Sequence, residues 1–281
     1  MLFNIQHRTR YDYSKPVQLN PQQLRFHPRG DGSQRVIAHH LSISPTPLGQ
    51  NEYLDLEGNR VTQVWFEGQT RHLEIMLEME VETLRQNAFD FMLAPQSMRL
   101  PIDHEQDGIC VRAYLHRSLA DDAVTAFAAE LSLAVERDTL RFLERLSRQL
   151  YEQFTPIHRH AGAPQTPAIT LQRRSGACRD LAVLFVDCCR AEGIAARFAS
   201  GYQQGNLQSD RRDLHAWPEV YLPGAGWRGY DPTQGHAVAD THVTIAAAAH
   251  ARDTLPVIGV FVGDGASSAL NFSVRIKVSG P

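Results

Sequence analysis

Between Ala177 and Glu192 the chain runs almost without polar interruption, through Leu181, Ala182, Val183, Leu184, Phe185, Val186, Cys188 and Cys189. A helix with so little polar surface cannot lie on the outside of a fold, and other layers must cover it on most sides. Gly193 ends it, because a glycine just past the last turn takes the left-handed conformation without a side-chain clash. Any fold for this chain is therefore organised around one buried helix.

The flanking patterns name the layers. Downstream, Ile194 to Gln203, Leu214 to Leu222 and Trp227 to Tyr230 read as strands, the last two joined by a Pro-Gly-Ala-Gly turn at 223–226. Pro218 cannot donate to a ladder, which predicts an edge or a bulge there. Upstream, Val124, Phe127, Leu131 and Val135 repeat with a helical period, as do Leu140, Leu143, Leu150, Tyr151 and Phe154, with Leu146 and Leu150 four apart. Pro156 stops the second run, and Thr166-Pro167 can start a short helix, with Thr as the cap. Residues 1–87 alternate instead, from Phe3 to Tyr13, Val36 to Ile43 and Leu73 to Val81, with a hairpin around Glu57-Gly58-Asn59. Val257 to Val262 and Phe272 to Val278 read as closing strands. The expectation is an α+β chain: an all-β sandwich over 1–87, a linker over 88–107 marked by Pro95 and Pro101, and a core over 108–281 in which a Cys-bearing helix packs on an antiparallel sheet.

Cys178 stands in the first turn of the buried helix. The free N–H groups and positive dipole end found there favour a thiolate, the form of sulfur that attacks carbonyl carbon. Ser175-Gly176-Ala177 permits a tight entry and close approach of a substrate, and N–H groups of this turn can hold an oxyanion. Asp180 would oppose a thiolate if it pointed inward; at the third helical position it is expected to cap or face out. His215 can take the thiol proton and return it to a leaving amine, and Asp231 can orient the imidazole. The 223–226 turn puts His215 and Asp231 near the same end of neighbouring strands; whether both face the helix depends on register. Each residue also has a plain reading. Cys178 can be a small core residue, His215 is one of 13 histidines, and Asp231 before Pro232 can form a turn. Tyr202, Trp217, Tyr221 and Trp227 can line an aromatic groove or fill the core.

Other chemistry finds less support. A net charge of −3 with no Lys/Arg-rich stripe argues against nucleic acid as a partner. No apolar run of membrane-spanning length and no secretory leader pattern are seen, so no membrane association is expected and a reducing cytoplasm is. Cys110, Cys178, Cys188 and Cys189 lack zinc-finger and redox spacing, and no phosphate-binding glycine loop is present. No cofactor and no metal is expected. His158-Arg-His160 is a rival metal site, without a carboxylate or thiol at ligand spacing.

The segments Gly-Ala-Cys-Arg-Asp, His-Ala-Trp-Pro-Glu-Val-Tyr-Leu-Pro-Gly-Ala-Gly-Trp and Asp-Pro-Thr-Gln-Gly resemble the core motifs of the transglutaminase-like superfamily, as do the spacings of 37 and 16 residues between Cys178, His215 and Asp231. The resemblance is specific over 165–235. Over the first hundred residues it is looser, where Tyr11-Asp-Tyr-Ser-Lys-Pro-Val and Asn20-Pro-Gln-Gln-Leu-Arg-Phe-His-Pro-Arg resemble the β-sandwich region of bacterial members. It implies a papain-like core with a Cys-His-Asp triad: Cys178 as nucleophile, His215 as base and acid, Asp231 as orienting partner. Family members include cross-linking enzymes, amidases and peptidases, and some have lost the triad. Eukaryotic-type cross-linkers add calcium-regulated domains, and no acidic calcium loop is seen here. The expectation is a cysteine-dependent acyl-transfer enzyme that hydrolyses amide bonds in a peptide or protein substrate, or transfers the acyl group to an amine in a limited way. Gly176, Ala177, Tyr202, Trp217 and Trp227 are its candidate substrate contacts. The rival from another class is a non-catalytic binding protein that uses the β-sandwich.

Overall fold

The computed structural model describes residues 1–105, 111–159, 162–205 and 211–280, and counts of elements are of these residues. Six strands come first: β1 (Leu2–Leu19), β2 (Gln22–Leu24), β3 (Gln34–Ser44), β4 (Gly49–Leu54), β5 (Arg60–Trp65) and β6 (Gln69–Thr83). The helices α1 (Val111–Leu115), α2 (Asp122–Leu133), α3 (Thr139–Gln153), α4 (Pro167–Arg173) and α5 (Cys178–Ala191) follow, with a short parallel pair, β7 (Thr155–Pro156) and β8 (Ser175–Gly176), among them. Then come β9 (Ala196–Gln203), β10 (Arg211–Arg212), β11 (His215–Leu222), β12 (Gly226–Asp231), β13 (His236–Ala237), β14 (His242–Ala248), β15 (Val257–Ile258), β16 (Phe261–Val262) and β17 (Ser268–Ser279). No helix among the described residues is long and apolar enough to cross a membrane.

The alternation in the first eighty residues becomes two antiparallel sheets. The larger runs β10-β17-β1-β6-β3, with β16 also on β1; the smaller runs β15-β2-β5-β4. Phe3, Ile5, Leu73 and Ile75 of the large sheet meet Leu24 and Val64 of the small one in a single apolar cluster. Strand β1 is central because both its edges are paired, to β6 on one side and to β17 on the other from Leu2↔Ser279 through Tyr13↔Ser268. The last strand therefore belongs with the first eighty residues, which corrects the expectation that the core runs unbroken from 108 to the end. Ile276 and Val274 take the inward positions opposite Ile5 and His7, and sequence distance carries no information about that pairing.

The core sheet runs β13-β12-β11-β9-β14 and packs against α5. Leu181, Leu184, Phe185, Cys188 and Cys189 meet Val124, Phe142, Leu143 and Leu146 of α2 and α3 on one side, and Val220, Leu222 and Tyr230 of the sheet on the other. Complete burial of side chains this size contributes about 1.5–3 kcal/mol each, so the apolar run is what fixes α5 centrally. Gly193 has φ +78° and ends the helix as its position predicts. Pro218 corrects an expectation, since β11 lies inside the sheet, not at its edge. The ladder to β12 covers Glu219 to Leu222 and stops at the proline, which lacks the donor to extend it. Of the expected 88–107 linker, the described residues 88–105 make core contacts. Leu100 and Ile102 enter the core cluster, and the Ala94 N–H bonds Pro223 O in the 223–226 turn.

The two parts of the chain share an interior. Tyr202, Val243 and Ile245 sit in the cluster of the large sheet. The outer edge of β14 is paired by side-chain amides: Gln34 bonds the N–H and C=O of Thr244, and Asn59 bonds those of Ala247. Two amides standing in for a neighbouring strand satisfy an edge that would otherwise be open. They also fix β14, which carries His242.

Candidate active site

Cys178 is the first residue of α5, partly exposed, with Ala177 as the extended cap residue. Asp180 is fully buried and turns back to the cap. Its Oδ2 accepts the Ala177 N–H at 2.8 Å, and its Oδ1 accepts the Gln165 N–H at 2.8 Å and Arg159 Nη2 at 2.5 Å. As the third-position expectation had it, this carboxylate caps. Arg159 offsets its charge, so it does not face the thiol unpaired. Burial by itself raises the Cys178 thiol; the hydrogen bond and charge of His215, with the N–H groups of Ala216 and Arg179, outweigh it and bring the thiol below its ordinary value.

His215 opens β11. In the hairpin register Tyr221 faces Trp227 and Leu222 faces Gly226, so continuing the count puts Asp231 opposite Trp217, on the face that Trp217 shares with His215. Val220, Leu222 and Tyr230 take the other face, toward α5. His215 and Asp231 thus share a face, but the one turned away from the helix. Cys178 and His215 are each the first residue of their element, and the charge and hydrogen-bonding reach of His215 act on the thiol. His215 Nε2 lies 2.8 Å from Asp231 Oδ2, which leaves Nδ1 for the sulfur. Burial lowers the His215 imidazolium, but the charge and hydrogen bond of Asp231, helped by Cys178, carry it up to about 10. Burial pushes Asp231 up, and His215 and His242 more than reverse this, holding the carboxyl well below its ordinary range. The arrangement favours a thiolate beside an imidazolium.

Three residues at the site have no role in the sequence reading, although Thr233 lies within its Asp-Pro-Thr-Gln-Gly segment. His242 Nε2 lies 3.0 Å from Asp231 Oδ2, and Gln203 Nε2 donates to the same oxygen at 3.3 Å. Thr233 donates to Asp231 Oδ1 from its N–H at 2.9 Å and its hydroxyl at 2.6 Å. The one sequence signal for His242 was its position at the head of an unusually apolar strand, where a polar residue needs a partner.

The groove candidates fare differently. Tyr202 and Trp217 are completely buried, so they are not groove walls. Tyr202 reaches the amino-terminal sheet, with its hydroxyl 2.7 Å from His7 Nδ1. Trp217 lies beneath the imidazoles, 6.1 Å from His215 in a stacked arrangement and 4.8 Å from His242 edge-on. Trp227 sits toward the far end of the hairpin, under the Arg197 guanidinium at 4.0 Å. Gly176 and Ala177 are buried beside Cys178, and a Cβ on Gly176 would stand 2.7 Å from that of Asp180, so glycine is needed for the close pass of β8 over the helix start. His158 is exposed, 3.6 Å from Asp213, while its proposed co-ligand His160, like Cys110, lies outside the described residues. Among the described residues, His215, Asp231 and His242 are the group whose ligating atoms come within 4.8 Å of one another.

A recess of about 210 Å³ lies between α4, α5 and β9, with Arg117, Asp187 and Arg190 in its lining and Cys178 outside it. Val183, Phe198 and Ala251 line it and also pack in the small cluster around Cys178, and Pro164, Thr166 and His250 form its rim.

Comparison with known proteins gives two matches along the chain. Residues 3–82 match the bacterial transglutaminase-like N-terminal region, and residues 125–232 match the transglutaminase-like superfamily. An uncharacterised protein of Mycobacterium tuberculosis (strain H37Rv) is 25% identical over 98% of this chain and 92% of its own length. A protein-glutamine gamma-glutamyltransferase of Pseudomonas aeruginosa is 29% identical over 54% of this chain but only 22% of its own length. Among solved structures, a candidate cysteine protease from Cytophaga hutchinsonii superposes with a TM-score of 0.74, covering 99% of this chain and 90% of that one at 22% identity, which establishes a shared fold.

Proposed function

This chain belongs to the transglutaminase-like superfamily, and we propose that it is a cysteine-dependent acyl-transfer enzyme that cleaves an amide bond in a peptide or protein through a thioester on Cys178. The observation that carries the reading is the linked set: a thiol at a helix start, drawn below its ordinary value by His215, whose Nε2 lies 2.8 Å from a buried Asp231. The Cys178 thiolate attacks the carbonyl carbon, and N–H groups at the start of α5 hold the oxygen as it gains charge. The C–N bond then breaks, and the amine leaves with the proton from His215 Nδ1. Water attacks the thioester, His215 takes its proton, and the acid departs as the thiolate is restored.

Hydrolysis is the leading outcome, because His215 is partly open to solvent and water can follow the amine. Amine transfer is the second reading, favoured by the similarity to the Pseudomonas aeruginosa glutamyltransferase.

The test is a peptide library incubated with the protein, with and without a primary amine, and read by mass spectrometry beside Cys178→Ala. Products gaining water indicate hydrolysis, and products gaining the amine indicate transfer. Identical product patterns from both proteins would remove the proposal.

A further inference from the structure

We propose that His242 is a fourth member of this site, a positioning residue that donates Nε2–H to Asp231 and tempers the hold of that carboxylate on His215. The inference rests on the reading of Cys178, His215 and Asp231 given above.

Asp231 Oδ2 is shared by His215 at 2.8 Å, His242 at 3.0 Å and Gln203 at 3.3 Å, while Thr233 occupies Oδ1 with two donors. An ionised carboxylate only accepts, so both imidazoles must present N–H at Nε2. On the far side of His242, Nδ1 lies 2.9 Å from the Thr241 hydroxyl, which can donate to it. A neutral His242 with its proton on Nε2 satisfies every partner it has. The chain of contacts runs Thr241, His242, Asp231, His215, Cys178, drawn from the loop before β14 and from β14, β12, β11 and α5.

The groups that face His242 are few. Asp231 is the anion; His215 on β11 and His236 on β13 are the titratable neighbours; Gln203, Thr241 and Trp217 are uncharged. Burial, then the nearby His215 and His236, keep His242 below the ordinary imidazole value despite Asp231, in keeping with a neutral donor.

A purpose follows from the acid–base step. An imidazolium held too firmly is a poor acid for the leaving amine, and catalysis is best when its pKa lies near the working pH. His242 takes part of the Asp231 charge that would otherwise act on His215 alone. A ring on β14 also prevents the carboxylate from rotating away from β11.

The test needs no substrate. The rate of iodoacetamide alkylation at Cys178, located by mass spectrometry, is followed against pH for the native chain, His242→Phe and His242→Gln. The native profile has a first rise as the thiolate–imidazolium pair forms and a second as His215 loses its proton. In His242→Phe the second rise moves to higher pH; His242→Gln, which keeps an N–H donor, returns toward the native profile. Once a substrate is in hand, His242→Phe lowers kcat by about tenfold or more with KM little changed. Should the phenylalanine variant fail to fold, ¹⁵N–¹H imidazole spectra of the native chain decide, with His242 expected neutral and protonated at Nε2 at pH 7.

If native Cys178 reacts no faster than an ordinary thiol near pH 7, the enzyme reading itself fails. If it reacts fast but the His242→Phe profile superimposes or moves down, or if His242 is cationic or protonated at Nδ1, only the fourth-residue proposal fails. Stoichiometric zinc in the purified protein, with the alkylation profile changed by chelation, would replace it with a metal held by His215, Asp231 and His242.

Discussion

Arg159 and Asp180 are joined across the turn that presents Cys178, with Arg159 Nη2 2.5 Å from Asp180 Oδ1. The same carboxylate takes the N–H groups of Ala177 and Gln165, so one buried side chain ties Arg159 and Gln165 to the start of α5. Removing it leaves Arg159 without its anion and two amides unsatisfied. Asp180→Ala is expected to cost about 2–3 kcal/mol, a range reduced because Arg159 is partly exposed. Urea unfolding measures the loss, and slower Cys178 alkylation should accompany it. An unchanged midpoint would show that the turn holds itself.

The pH dependence of stability follows from His215. Its imidazolium sits at about 10 in the fold against an ordinary 6.5, so its contribution is complete below 6.5 and disappears as pH rises through 10. Asp231, held below its ordinary 3.8, works in the opposite sense; its contribution is present above that value and is lost as pH falls through the depressed one. The Cys178 thiol, held below its ordinary 9, offsets this until the pH passes 9, so urea midpoints should decline mainly from pH 9 through 10, and His215→Ala should flatten that decline. A native midpoint flat over this range would contradict the raised imidazolium.

Turnover separates His215 from Asp231. On the proposed chemistry His215→Ala removes both acid and base, with a loss on the order of 10³-fold or more. Asp231→Ala was expected from sequence to slow turnover by a smaller factor. The structure adds a second effect, because this variant strands two imidazole N–H groups, Gln203 and Thr233 around a buried site. It should lose about 3–5 kcal/mol of stability, whereas His215→Ala, at a partly exposed site, should lose less. Thermal unfolding of the two variants side by side checks the order.

Arg197 and Glu219 give a control remote from the thiol. Both are buried, 2.6 Å apart on neighbouring strands, and Arg197 lies 4.0 Å over Trp227. Glu219→Ala leaves a buried guanidinium without its anion and should cost about 3–5 kcal/mol; Glu219→Gln should recover part of it. Neither variant, while folded, should change the pH profile of Cys178 alkylation. A changed profile would mean that the far end of the hairpin sets the geometry of the site.

Strand β17 tests the coupling of the chain's two ends. Val274 is buried where β17 pairs with β1 at His7. Val274→Asp places a charge in the interior of the amino-terminal sheet and should destabilise the chain by several kcal/mol, although the position is nearly 100 residues from Cys178 in sequence. Circular dichroism melts read this directly, and a native-like melt would mean that β17 is dispensable.

Sequence alone was enough for the elements whose cause is local. The buried α5 followed from an apolar run closed by Gly193. The short α4 followed from Thr166-Pro167, the β-rich first eighty residues from their alternation, and the hairpin from its Pro-Gly-Ala-Gly turn. The residue types at 178, 215 and 231 already named a thiol, a base and a carboxylate in family-like order. What tertiary structure decided was every relation between distant segments. That β17 completes the first sheet, that Gln34 and Asn59 pair the edge of β14, and that Tyr202 and Trp217 are core and not groove depend on pairing and layer packing, which carry no local signature. The same holds for His242. Nothing within ten residues of it marks its partner, because Asp231 approaches it from another strand, and only the folded sheet brings a second imidazole to one carboxylate.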